Sequence, residues 1–214
     1  MSLCSTEGAS CITKLSGFMT EGCLKDNFLN TNLKQIYLNN LHTNFKARFL
    51  PFANYLMPIN YPDGIIKENL HTRKFVGIFD VSHMGQILIP NDTKNILILE
   101  KYIPINLKIL KLNHCSYSFI LNDKGGIIDD IIISKIILNK KEFFFIVYNS
   151  SRKEINENIF TTHCINYKIL NENCLIAIQG PSSAKLLELY FNNINDLFFM
   201  QINTFKYHEQ SIII

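Results

Sequence analysis

With 214 residues the chain can bury a core in one large domain or two small ones. Apolar residues make up 47% of it and charged residues 18%, which excludes a chain too polar to fold. The net charge is +3, with lysines scattered among asparagines and isoleucines, so a nucleic-acid footprint has no support. Asp129, Asp130, Ser134 and Lys135 interrupt the longest isoleucine-rich run, leaving no apolar stretch of the roughly 18 residues that a membrane span needs.

Residues 1–35 are rich in Ser, Thr and Cys, contain no arginine and balance Lys14 and Lys25 against Glu7, Glu21 and Asp26; they read as a divergent leader or a disordered tail. Ile65, Ile66, Leu70 and Val76 follow Asp63 at helical spacing and predict a helix over 64–76, with Gly77 at its left-handed C-terminus. Phe79, Val81 and 86–89 read as short strands closed by Pro90-Asn91-Asp92, and Thr93 can cap a helix to about Ile103. The β-rich runs 117–121 and 127–137 flank Asn122-Asp123-Lys124-Gly125-Gly126, whose glycines permit a tight connection, and predict a hairpin.

A further strand, 142–148, follows the turn at Asn139-Lys140. Ser150 or Ser151 can then cap a helix to about Thr162 with Ile155 and Ile159 inward. An apolar strand over 175–178 leads to a helix over 182–191 that buries Leu186, Leu187 and Tyr190. The order over 86–171 is close to a ferredoxin-like βαββαβ unit with one extra strand, and the fold class is α+β. The six cysteines form no Cys-x-x-Cys pair and sit near no histidine cluster, so free thiols and no metal site are expected.

Asp129 and Asp130 follow the glycine turn inside a strand, where neighbouring side chains point to opposite faces. One carboxylate must therefore enter a protected environment and needs hydrogen bonds or a cation there. Taken alone, this pair fits two uses: capping the hairpin or pairing with a lysine, and binding a ligand. His83 lies near Asp80 in sequence, but an extended backbone gives no assurance that they meet, and it reads as structural. Arg73 reads as fixing its helix against an acidic partner.

Five segments in order carry a family likeness: Phe52-Ala53-Asn54-Tyr55-Leu56-Met57-Pro58, Phe79-Asp80-Val81-Ser82-His83-Met84-Gly85, 122–130 with its double aspartate, Val147-Tyr148-Asn149-Ser150 and Ala177-Ile178-Gln179-Gly180-Pro181. Over about 36–207 the chain resembles the aminomethyltransferases, the T-proteins of the glycine cleavage system. The resemblance implies a ferredoxin-like domain over 86–171 inserted into a first folate-binding α+β domain built from 36–85 and 172–214. It implies tetrahydrofolate as cosubstrate, no metal, the lipoylated H-protein as partner, and a mitochondrial location. The implied reaction moves the aminomethyl carbon from the H-protein to tetrahydrofolate, releasing ammonia and leaving 5,10-methylenetetrahydrofolate.

By the same resemblance Asp130 is the catalytic carboxylate at the folate N10, and Met84, Tyr117, Asp130, Asn149 and Phe199 line the folate pocket. Without the family, Tyr117 reads equally as a half-buried strand aromatic and Phe199 as a core ring. Two departures stand out: Asn54-Tyr55 replaces Gly-Trp, and Ser134 stands where some members carry a tyrosine. The family's later Gly-Tyr-Thr-Gly-Glu and Gly-Leu-Gly-Ala-Arg-Asp segments are not in the sequence. The expectation is an incomplete first domain with exposed strand edges, arising from a truncated gene model, a degenerate copy or a half-protein completed by another chain. The alternative function is a non-catalytic remnant that at most binds folate or the H-protein.

Overall fold

The structure, a computed structural model, describes residues 33–164 and 166–214; the leader or tail expected over 1–35 lies almost wholly outside them. The chain is mixed α+β and divides into two compact units, one holding the described residues up to His83 together with Cys174–Leu186, the other Met84–Asn173 with Leu187–Ile214.

In the first unit, strand β1 (Lys34–Gln35) pairs in parallel with β3 (Tyr55–Asn60), which pairs antiparallel with β2 (Arg48–Phe52). The β2–β3 turn puts Ala53 and Asn54 at φ 46° and 67°. Asparagine is the side chain that best tolerates this left-handed region, so the replacement of the family's glycine keeps the turn. Helix α1 (Asn39–Asn44) lies between β1 and β2 in the chain, and helix α2 (Ile65–Lys74) follows β3.

The predicted helix is present, but two of its apolar residues do not face inward: Ile66 and Leu70 are exposed. The inward positions go to Ile65, Glu68 and Thr72. Glu68 accepts from the Tyr61 N–H at 2.7 Å and Thr72 bonds the Glu68 carbonyl, so local hydrogen bonds set the rotation of the helix. Gly77 is not a left-handed cap; Phe75 ends the helix and Gly77 opens strand β4 (Gly77–Asp80). A side chain there would meet the Thr72 hydroxyl, so glycine serves close packing. Arg73 is exposed and makes neither of the ion pairs among the described residues, Lys67–Asp63 and His42–Asp80, so the expected acidic partner is not there.

The second unit is built on a five-stranded antiparallel sheet. Its strands are β5 (Gly85–Pro90), β6 (His114–Leu121), β7 (Ile127–Leu138), β8 (Lys141–Tyr148) and β9 (Lys168–Ile169), in spatial order β6-β7-β8-β5-β9. The hairpin runs over β6 and β7 as expected. In its turn the Asn122 side chain accepts from the Lys124 and Gly126 N–H groups, and Gly125 takes φ 77°. The extra strand of the sequence reading, β8, is central in the sheet.

Helix α3 (Thr93–Tyr102) is capped by Asp92 rather than Thr93: the Asp92 carboxylate accepts from the Asn95 N–H at 2.8 Å. Helix α4 (Lys153–His163) follows a short 3-10 turn (Ser150–Arg152), and neither Ser150 nor Ser151 caps it through its side chain. Its inward residues are Asn156 and Phe160, with Ile159 at the margin, while Ile155 is exposed.

Alternation along the strands sorts the two faces. Ile87, Ile89, Ile120, Ile131, Ile133, Phe144, Ile146 and Tyr148 pack with Leu99 of α3 and Phe160 of α4 in one core. Leu88, Ile136 and Phe145 point the other way and pack with Ile202 in a smaller one, with Val147 and Ile213 at its margin.

Strand β10 (Ile176–Gln179) pairs antiparallel with β4 in the first unit. The helix expected over 182–191 is only Ser183–Leu187 (α5); Leu187 is buried, Leu186 is half-buried, and Tyr190 is exposed. The residues beyond it leave the helix to join aromatic contacts, Tyr190 with Tyr207 at 6.1 Å and Phe191 with Phe205 at 5.7 Å. Those partners lie on a closing hairpin, β11 (Thr204–Tyr207) and β12 (Gln210–Ile213), so aromatic packing ends the helix early. No helix among the described residues is long and apolar enough to cross a membrane.

The described cysteines, Cys115, Cys164 and Cys174, are free thiols. Burial raises the Cys115 thiol, and burial followed by the nearby Asp92 carboxylate pushes Cys164 up to about 11. A raised thiol stays protonated, and the thiolate is the nucleophile. Timed iodoacetamide labelling at about pH 8, read by peptide mapping, is therefore expected to mark exposed Cys174 before Cys115 and to leave Cys164 unmarked even near pH 9. Equal labelling of Cys174 and Cys164 would contradict the burial seen here.

Candidate functional site

Strand β7 carries Asp129 and Asp130 on opposite faces, as alternation demands. Asp129 turns toward the helices and is buried, with 6% of its surface exposed. It has no cationic partner among the described residues; hydrogen bonds hold it instead. The Asn149 N–H donates to Oδ2 at 3.0 Å, the Asn149 side-chain amide to Oδ1 at 2.8 Å, and the Asn156 side-chain amide to Oδ2 at 2.5 Å. Asn149 immediately precedes the 3-10 turn that leads into α4, so a carboxylate from another strand anchors the chain at the entry to that turn, and the start of α4 carries no side-chain cap.

Asp130 lies on the face away from the helices and is exposed. The Tyr117 hydroxyl donates to its Oδ2 at 3.2 Å, and the Asn149 amide donates to its Oδ1 at 2.8 Å. Both oxygens are thus engaged by donors on the strands flanking β7: β6 carries Tyr117, and Asn149 stands at the end of β8. Tyr117 is 49% exposed, with its ring edge-on to Phe119 at 5.4 Å. It sits directly across from Ile132, two residues from Asp130 on the same face.

Gly85 pairs with Tyr148, so one step further along both strands Met84 stands opposite Asn149, half-buried. The structure thus brings Asp130, Tyr117 and Asn149 together and sets Met84 at the adjoining register position. Phe199 is 72% exposed and joins no hydrogen bond or ring contact with this group among the described residues. Its segment is tied to β6 by the Cys115 N–H donating to the Met200 carbonyl at 2.9 Å, two residues along the strand from Tyr117. Ser134, in the same face of β7 as Asp130, is buried. An open cleft of this unit lies elsewhere, between Asn113, His114 and residues 190–206, and the Asp130 group does not line it.

The arrangement presents hydrogen-bond acceptors on an open sheet face. A fixed carboxylate of this kind can receive an N–H from a ligand and favour positive charge developing near it. Among the described residues no group of three or more His, Cys, Asp or Glu side chains could hold a metal ion.

Sequence reading anticipated one buried, hydrogen-bonded carboxylate in the pair without saying which, and missed Asn156 as its partner. A buried asparagine on the inward face of an amphipathic helix was the available signal. It also missed a second polar group, in the first unit. His42 Nε2 lies 3.1 Å from Asp80 Oδ2 and His42 Nδ1 2.7 Å from the Tyr61 hydroxyl, while Asp80 Oδ1 accepts from the Ser82 N–H at 2.9 Å. Burial, then the charges of Glu68 and Asp80, raises the Tyr61 hydroxyl, so it stays protonated; a carboxylate only accepts, so the His42 Nε2 carries the hydrogen of its contact with Asp80. Asp80 thus meets His42, not His83. His83 is buried with its ring edge-on to Phe52 at 5.5 Å and to Tyr55 at 6.3 Å, a packing role.

The family described as GCVT N-terminal domain matches residues 38–214. The mitochondrial aminomethyltransferase of Dictyostelium discoideum is 36% identical over 172 residues, covering 75% of this chain and 41% of that protein. The aminomethyltransferase of Aquifex aeolicus is 32% identical over 173 residues, covering 81% and 46%. The crystal structure of glycine cleavage system aminomethyltransferase T from Bartonella henselae is similar with a TM-score of 0.70 at 35% identity, covering 79% of this chain and 47% of that one. The chain therefore spans somewhat under half the length of these relatives. With a family match over most of its length and the double-aspartate hairpin folded as the motif anticipates, this chain belongs to the aminomethyltransferase family of the glycine cleavage T-proteins through their GCVT N-terminal domain.

Proposed function

We propose that the chain serves aminomethyl transfer in glycine cleavage, taking the aminomethyl carbon from the lipoylated H-protein and placing it on tetrahydrofolate, with release of ammonia and formation of 5,10-methylenetetrahydrofolate. The observation that carries this reading is the Asp130 carboxylate, held by Tyr117 and Asn149 on an open sheet face. Transfer to a folate nitrogen needs that nitrogen oriented and the positive charge that develops beside it stabilised, and a fixed carboxylate does both. Asp130 is the catalytic carboxylate in this proposal, with Met84, Tyr117, Asn149 and Phe199 holding the folate.

In the accompanying domain reading, 86–171 is a ferredoxin-like βαββαβ insertion in a first domain of 36–85 plus 172–214. It is supported by β8-α4-β9, a helix joining two parallel strands that flank β5, with β8 as the added strand. A mitochondrial location is part of the same proposal and follows the name of the Dictyostelium relative.

Titration of the folded chain with tetrahydrofolate, by calorimetry or intrinsic fluorescence, tests the reading. Binding is expected, and Asp130→Asn is expected to weaken it roughly tenfold or more, the worth of a hydrogen bond to a charged group. A folded sample that does not bind, or a variant that binds as well as the parent, would count against it.

A further inference from the structure

Asn149 is a carboxamide between two carboxylates, and this restricts how it can sit. Its Nδ2 lies 2.8 Å from Asp129 Oδ1 and 2.8 Å from Asp130 Oδ1. Carboxylates only accept, so each takes one of the two amide hydrogens, and the planar amide then directs its carbonyl oxygen away from both. The reverse orientation would set the oxygen against two negative groups.

Asp129 cannot swing away to release this grip. Its other oxygen holds the Asn149 N–H and the Asn156 side-chain amide, and Asn156 is fully buried. We infer that Asp129 and Asn156 are positioning residues that fix the Asn149 carboxamide with its oxygen toward the ligand, so that the site offers acceptors only.

This rests on the proposed folate reading for the identity of the ligand, and it refines the chemistry the site selects: the edge of a heterocycle rich in N–H donors. Asp129→Asn keeps the volume but gives residue 129 an N–H that can donate to the Asn149 oxygen, so the carboxamide is no longer held in one orientation. Neither residue is expected to touch the ligand, because both lie on the helix face of the sheet.

The test uses the whole chain and two readouts. In amide-resolved nitrogen–proton NMR spectra, the Asn149 side-chain pair, assigned by its loss in Asn149→Asp, is expected to be shifted downfield and protected from exchange. In Asp129→Asn it should move upfield and exchange quickly, and Asn156→Ser should move it the same way by less. In parallel, tetrahydrofolate affinity should fall roughly tenfold in Asp129→Asn, as loss of an oriented hydrogen bond implies. Ile133→Val, a core change, should lower the melting temperature without moving the affinity.

Unmoved Asn149 resonances in Asp129→Asn overturn the inference. So does unchanged affinity in that variant when the parent binds and Asp130→Asn does not. If the parent binds no folate, the ligand assignment falls, and the resonances alone decide the positioning claim.

Discussion

Gly85→Ala is expected to lower the unfolding free energy by roughly 3 kcal/mol, the upper range for overpacking a core. Gly85 is buried where β5 pairs with β8, and a Cβ built on it would overlap ring atoms of Tyr148. That ring has nowhere to go. Tyr148 is fully buried, its hydroxyl donates to Glu157 at 3.0 Å, and its ring packs on Phe160 at 5.8 Å. The methyl must therefore displace a strand or expel a ring from the main core. Gly125→Ala is the control: its φ of 77° strains an alanine, but open space surrounds it, so about 1 kcal/mol is expected. Denaturant unfolding with equal slopes for both variants measures the difference. A Gly85→Ala loss no larger than that of Gly125→Ala would mean that the Tyr148 ring does not cover the glycine.

The contrast marks what could be read from the amino-acid order. Gly85 ends the segment that most resembles the family, so its importance was visible, but its reason was not: the ring above it comes from a residue 63 positions later in sequence. Local signals held where local physics decides. The glycine turn at 122–126 closes the expected hairpin, and the alternation of β7 put Asp129 and Asp130 on opposite faces. Where long-range partners compete, local signals misled. Ser150 and Ser151 have the chemistry of a cap, yet Asp129 arrives from another strand and takes the N–H just ahead of them. The face of α2 turned on hydrogen bonds of Glu68 and Thr72, which a count of apolar residues does not contain.

The candidate site divides in the same way. The group of Asp130, Tyr117 and Asn149 was reachable because Asp130 and Asn149 fall in matched segments and the resemblance singled out Tyr117 beside them; register then brings the three together. Asn156 falls in none. It lies in a helix whose inward face looked to be set by Ile155 and Ile159, and the buried carboxylate that draws it inward can be recognised only once β7 is in place. The same holds for His42, which binds a residue 38 positions away.

That last pair carries a second large effect. Asp80→Ala is expected to cost about 3 kcal/mol, because it removes the acceptor of two donors at once, the buried ring N–H of His42 and the half-buried N–H of Ser82. The cost lies in the groups left behind more than in the bond removed. Replacing His42 as well, in His42→Phe with Asp80→Ala, should therefore recover part of the loss, since an apolar ring asks for no partner, while the Ser82 N–H and the Tyr61 hydroxyl remain to be satisfied by solvent. Thermal or denaturant unfolding of the two single variants and the double variant gives the coupling directly. A double variant whose loss equals or exceeds the sum of the two single losses would show that His42 holds the fold through contacts other than Asp80, and that the buried pair is incidental to them.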